Sequence, residues 1–207
     1  MHYIHVVICC FPLVSIRALS TMTWRVWRSY HRFTQILVWH KYFLNLQGTW
    51  LIAQLDLTCC QFHPDGHIFA AGSSSGQVKI FEVKTSSNAA NFDANGPIQS
   101  VSFSENGTWL ASVVRGSTSV SIWDLRKGGE LKSLEFGSRI DHVRWDYTGQ
   151  YLVGAGPGCV AVQAYDKGSK SWSEPLRKAC SATAVEWGAD AKSLVVLKSD
   201  GAVTILS

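Results

Sequence analysis

A chain of 207 residues that is 46% hydrophobic and 16% charged holds enough apolar material for one globular domain with a real core, which excludes a disordered chain. Nine Trp, nine Phe and 17 Gly against five Pro lean toward β-structure rather than a helical bundle. The formal charge of +4 is unevenly placed: residues 1–55 hold Arg17, Arg25, Arg28, Arg32 and Lys41 and no acid, so the remainder sums to −1 and offers no phosphate-neutralising face for direct nucleic-acid binding.

The first segment, residues 1–55, shares no period with the rest of the chain. Its apolar run from Val6 to Ile16 is too short to cross a bilayer and is interrupted by Pro12, so no membrane partner is expected. A signal peptide would want Lys or Arg ahead of that run, where His2 and His5 stand, and a small-residue cleavage site after it, where Arg17 stands. A transit peptide fits the Arg content better, but Trp24, Trp27, Trp39 and Trp50 do not suit one. The segment is therefore read as a non-repeat stretch, disordered or an artefact of a misplaced start, and it shows no a/d heptads. Six cysteines at 9, 10, 59, 60, 159 and 180 form no CxxC pair, and adjacent ones such as Cys59 and Cys60 point to opposite faces of a strand. Free thiols in a reducing, intracellular compartment are expected.

From residue 56 onward the chain repeats. An aromatic followed four residues later by a turn Gly occurs as FHPDG (Phe62 to Gly66), FSENG (Phe103 to Gly107) and WDYTG (Trp145 to Gly149). A fourth copy, WGADA from Trp187, has Ala191 at the Gly position. Successive aromatics are 41, 42 and 42 residues apart, a WD-repeat period. A β-branched pair follows each at a nearly constant offset: Val78 and Ile80, Val120 and Ile122, Val160 and Val162, Val203 and Ile205. Each copy reads as three short strands. The first ends at the aromatic, and Asp65 or Asn106 with the following Gly supplies the positive φ of a hairpin turn. The second is nearly all apolar, as a strand covered on both faces must be. A Gly- or Ser-rich turn leads to the third, and segments such as KTSSNAANFDANGP are read as crossings to the next copy. One such unit cannot bury its apolar face alone, so the copies stack, each sheet covering the next, and the stack curves into a propeller.

The third strand of the second copy, VSIWDLRK from Val120 to Lys127, ends in the pair Trp123 and Asp124. On that pair the chain resembles the WD40 family. The runs LTCCQFHPDGHIFAAG, GPIQSVSFSENGTWLA and IWDLRK are similar, more narrowly, to the C-terminal propeller of the pre-mRNA-processing factor 19 family. The resemblance implies an all-β fold, a partial WD40 propeller of about three and a half blades over residues 56–207. It further implies a nuclear protein of the spliceosome and of mRNA processing, part of a U-box ubiquitin ligase complex with a link to DNA repair. In that setting the propeller binds spliceosomal or ubiquitination substrates. The U-box and the tetramer-forming coiled coil of that family have no counterpart in these residues, so no ubiquitin transfer is expected from this chain alone, and a tetramer only with a coiled coil. The alternative is a WD-repeat scaffold or adaptor of another nuclear complex.

Departures from the pattern carry expectations of their own. The other third strands offer Phe81 with Glu82, Val162 with Gln163 and Leu206 with Ser207, Gly96 and Pro97 replace the usual Gly-His, and Asp200 alone keeps an acid before the third strand. The polar network that ties WD blades is thus largely missing, and apolar packing is expected to hold them. An open arc of blades leaves edge strands, and a poorly soluble product is expected. The repeat-defining residues are Phe62, Gly66, Phe103, Gly107, Trp123, Asp124, Trp145, Gly149 and Trp187.

Other motifs are weaker. GSSSG (Gly72 to Gly76) has the nucleophile-elbow spacing around Ser74 but is followed by the strand-like QVKIF rather than a helix. GAGPG (Gly154 to Gly158) lacks the Lys and helix of a phosphate loop. His63 and His142 have no Cys or His at ligand spacing. Asn106-Gly107-Thr108 is a sequon that matters only in a secreted chain. Trp109, Trp123, Trp145 and Trp187 are read as packing between blades, and Lys79, Arg115, Arg126, Lys127, Arg139 and Arg144 as a solvated rim available to a partner. Catalytic residues, cofactor and metal are not expected; the partners are proteins.

Overall fold

The computed structural model describes residues 57–85, 87–188 and 193–206. The reading of 1–55 as a separate non-repeat stretch, and the comparison made at Ala191, lie outside the described residues. Among the described residues, sixteen strands form four antiparallel sheets.

The first sheet joins β1 (Leu57–Phe62), β2 (Ile68–Ser73), β3 (Gln77–Glu82) and β4 (Asn88–Asp93) in that order. The second joins β5 (Ile98–Phe103), β6 (Trp109–Val114), β7 (Ser119–Asp124) and β8 (Gly129–Glu135). In the third, β9 (His142–Trp145), β10 (Tyr151–Ala155) and β11 (Cys159–Asp166) are followed by β12 (Ser171–Trp172) and β13 (Leu176–Ala179), both paired to β11. The fourth has β14 (Ala184–Trp187), β15 (Leu194–Leu197) and β16 (Val203–Leu206). The first two sheets are homologous down to their irregularities. A register shift between Leu57 and Cys59 recurs between Ile98 and Ser100, and one between Ile80 and Phe81 recurs between Ile122 and Trp123.

The expected three-strand repeat needs correction. The segment read as a crossing from Lys84 to Pro97 contains the fourth strand β4, and β8 occupies the same place in the second repeat. Each is an outer edge strand with one buried side chain, Phe92 or Leu134. A strand with a single apolar anchor gives no alternation to read.

The core sits between sheets. One cluster joins Ala111, Val113, Val120 and Ile122 of the second sheet to Val143, Trp145 and Leu152 of the third. Another joins Val153, Ala155 and Val160 of the third to Val185, Trp187, Leu194 and Val196 of the fourth. Most of these side chains are fully buried, and each Val, Ile or Leu among them contributes roughly 1.5–3 kcal/mol of apolar burial. The β-branched pair thus marks the face that each sheet turns to its successor. On the fourth sheet the same face leaves Val203 and Ile205 exposed, at 63% and 68%.

Candidate interaction surfaces

The aromatics that mark the repeat end the first strands β1, β5, β9 and β14, and Phe103, Trp145 and Trp187 are buried. Gly66, Gly107 and Gly149 take φ of 73°, 66° and 66° in the turns that follow. After Phe103 and Trp145 the next residue secures the turn. Ser104 Oγ donates to the Trp109 carbonyl and accepts its N–H. Asp146 accepts from the N–H groups of Thr148, Gln150 and Tyr151 and from the Thr148 hydroxyl. His63 reaches across to the next turn, its Nε2 3.0 Å from the Gly107 carbonyl and its ring edge-on to Phe103. A Cβ at Gly107 would overlap that ring. Trp123 donates from Nε1 to Ser112 Oγ at 2.8 Å inside the second sheet, and Asp124 accepts the N–H groups of Arg126 and Lys127. These residues build the framework.

The sheets are also tied by polar contacts that sequence reasoning missed. Phe103 N–H donates to Gln61 Oε1, Val143 N–H to Ser100 Oγ, Trp145 N–H to Ser102 Oγ and Val185 N–H to His142 Nδ1, at 2.8–3.3 Å. Thr58 Oγ1 donates to the Ile98 carbonyl, Arg144 to the Val101 carbonyl and Trp187 Nε1 to the Arg144 carbonyl. All link the first strand of one sheet to the first strand of a neighbour, residues about one repeat apart. A first strand has one edge unpaired by its own sheet, and these side chains satisfy that edge. The signal was a polar residue just before the marker aromatic: Gln61, Ser102, Arg144 and Glu186. Apolar packing alone does not hold the sheets.

His142 accepts from the Val185 N–H, so its proton sits on Nε2. Burial, with the Arg144 charge adding to it, pushes its pKa down to about 3. Arg144 lies 3.4 Å from Glu186, and Arg139 pairs with Asp141 at 2.9 Å. Arg115 donates to Gln99 Oε1. Half of the six rim cations are therefore already engaged. GSSSG is the turn between β2 and β3, in which Ser73 rather than Ser74 is buried and bonded to Gln77. GAGPG joins β10 to β11, and a Cβ at Gly156 would overlap the Arg139 carbonyl. Among the described residues no three His, Cys, Asp or Glu side chains gather as a metal site would require, and no helix is long and apolar enough to cross a membrane.

At the junction of the second and third sheets lies an open cleft of about 400 Å³. Trp109, Tyr165 and Trp172 form its aromatic wall, with centroids 4.8–6.2 Å apart, and the buried Trp145 packs at a tilt against Trp109 and Trp172. Lys127, Lys132 and Lys170 stand around it, beside Asp124. Of these lysines the rim reading included Lys127 alone. Tyr165 and Trp172 face each other across the β11–β12 pair, a hairpin that the apolar pattern did not reveal.

A family model described as nucleolar protein 10-like, N-terminal domain, a β-propeller, matches residues 28–165, beginning ahead of the boundary drawn at Leu55. Pre-mRNA-processing factor 19 of Schizosaccharomyces pombe is 32% identical over 117 residues, which are 56% of this chain and 24% of that protein. Pre-mRNA-processing factor 19 homolog 2 of Arabidopsis thaliana is 33% identical over 187 residues, covering 78% of this chain and 34% of that protein. The chain spans a quarter to a third of the length of these curated relatives. Among solved structures, the Cps50 (Swd1) β-propeller domain of Myceliophteria thermophila superposes with a TM-score of 0.64 at 20% identity, over 74% of this chain and 52% of that one, a likeness of fold.

Proposed function

We propose a partner-binding role in pre-mRNA splicing for this chain, which belongs to the β-propeller family described as nucleolar protein 10-like, N-terminal domain, and whose WD-repeat region is similar to pre-mRNA-processing factor 19. The observation that carries the reading is the match to pre-mRNA-processing factor 19 homolog 2 across 78% of the chain, which takes in most of the stacked sheets. Sheets locked by apolar clusters and by bonds between first strands make a rigid scaffold, and the loops and sheet junctions on it are free to vary for recognition. The role is to hold spliceosomal proteins or ubiquitination substrates, in the nucleus, within a ubiquitin ligase complex that also serves DNA repair. Tetramer formation and ubiquitin transfer belong to segments of the U-box and coiled-coil kind. The word nucleolar in the matched family's description favours a second reading, a scaffold of another nuclear complex.

The test is capture from nuclear extract by the tagged full chain, with Val120→Asp, which places a charge in the core, as the unfolded control. Enrichment of spliceosomal proteins that the control loses supports the splicing role. Enrichment of a different nuclear assembly transfers the proposal to the second reading.

A further inference from the structure

We propose that the cleft between the second and third sheets is a docking site for an acidic linear segment of a partner protein, one that inserts an apolar side chain against Trp109, Tyr165 and Trp172. This inference rests on the partner-binding role and names the chemistry of the partner.

The three rings are half-buried although they belong to two different sheets, so the apolar wall is built by the stacking itself and needs no ligand to form. Leu131, 43% exposed, extends the apolar surface along β8. Aromatic walls of this kind accept an apolar or aromatic side chain and supply most of the energy of a small interface. The buried Trp145 indole N–H, in the same ring cluster, has no acceptor among the described residues.

Charge selects the occupant. Lys127, Lys132 and Lys170 are exposed and converge on the cleft from three separate elements: the β7–β8 turn, β8 and the β11–β12 turn. The one carboxylate on the wall, Asp124, is already engaged by the N–H groups of Arg126 and Lys127. Lys170 is held at φ 53°, a left-handed conformation that no other non-glycine takes among the described residues. Its turn is fixed by Asp166, which accepts the N–H groups of Gly168 and Ser169 and the Ser169 hydroxyl. Three ammonium groups around an aromatic wall fit a peptide whose carboxylates flank an apolar anchor. A nucleic-acid strand fits less well. Asp124 breaks the run of lysines around the cleft that a continuous phosphate chain would follow, and residues 56–207 sum to −1.

The full chain is titrated into a short fluorescein-labelled peptide with one Phe flanked by Asp and Glu, and binding is read by anisotropy. Three further probes are the same peptide with Ala for Phe, one with Lys for the acids, and a single-stranded RNA of equal charge. The variant Lys127→Glu/Lys132→Glu/Lys170→Glu reverses exposed side chains, and its Tm checks that it folds. The expected result is saturable binding of the acidic Phe peptide, weakened about tenfold or more by the charge reversal and again by Ala for Phe. No saturable binding, binding unchanged in the reversed variant, or RNA bound more tightly than the peptide through the same lysines would overturn the proposal. The nuclear-extract capture, repeated with the reversed variant, separates the two readings. Undiminished capture without peptide binding removes the cleft and leaves the module; peptide binding without capture does the opposite.

Discussion

His142 shows how much a single side chain can couple two sheets. Its Nδ1 accepts the Val185 N–H, and it is flanked along the chain by Asp141, already paired with Arg139, and lies near the charge of Arg144, which faces Glu186. With a folded pKa near 3 against about 6.5 in the unfolded chain, the unfolded state binds the extra proton anywhere between those values. The contribution is therefore fully present above about pH 6.5 and is lost as the pH falls toward 3, at roughly 1 kcal/mol per pH unit. Urea unfolding of the full chain at successive pH values is expected to show that slope, and His142→Gln is expected to flatten it. Glycine supplies a second residue-scale test. Gly66 and Gly107 both need a positive φ, but only at Gly107 does a Cβ meet a neighbour, the His63 ring. Gly66→Ala is expected to cost about 1 kcal/mol, and Gly107→Ala more. In a double-mutant cycle His63→Ala should recover part of the difference, and strict additivity would show that the ring is not in the way.

At the scale of the strand, the side chains that precede the marker aromatics act as rungs from one sheet to the next. Ser102→Ala leaves the Trp145 N–H without its acceptor and is expected to cost about 1–3 kcal/mol, whereas Thr85→Ala, which removes an exposed local contact, should cost about 0.5 kcal/mol or less in denaturant titrations. The marker aromatics, the turn glycines and the β-branched pairs were legible in the sequence because stacking repeats the same demand at the same offset in every copy. The outer strands β4 and β8 were not, because all but one side chain of each is at least partly open to solvent, which leaves no period. The rungs escaped notice for a different reason. Gln61, Ser102 and Arg144 perform one task with three chemistries, so self-similarity of sequence does not expose them, although their common position does. The cleft was half legible: Trp109 was expected in the packing and Lys127 on the rim, but Tyr165, Trp172 and Lys170 come together only through the β11–β12 hairpin.

Across the described unit, stability comes from each sheet covering the next, and the fourth sheet carries the same face uncovered among the described residues. Val160 is 2% exposed, while its counterpart Val203 is 63% exposed and Ile205 68%. Exposed β-branched residues on an edge strand favour association between molecules. Val203→Lys/Ile205→Lys is accordingly expected to raise solubility with little change in Tm, whereas Val160→Lys, in the homologous buried place, should prevent folding. Equal effects of the two substitutions on Tm would mean that Val203 is as enclosed as Val160.

The core, the rungs and the cleft all depend on consecutive repeats lying sheet against sheet, and amide hydrogen exchange on the full chain tests that arrangement most directly. The N–H groups of Phe103, Trp145 and Val185 have their acceptors on side chains of the preceding repeat. These amides are expected to exchange as slowly as those of the central strands, with Ser102→Ala releasing Trp145 and leaving Phe103 protected. Rapid exchange at all three, or protection at Trp145 that ignores the loss of Ser102, would contradict the stacked arrangement.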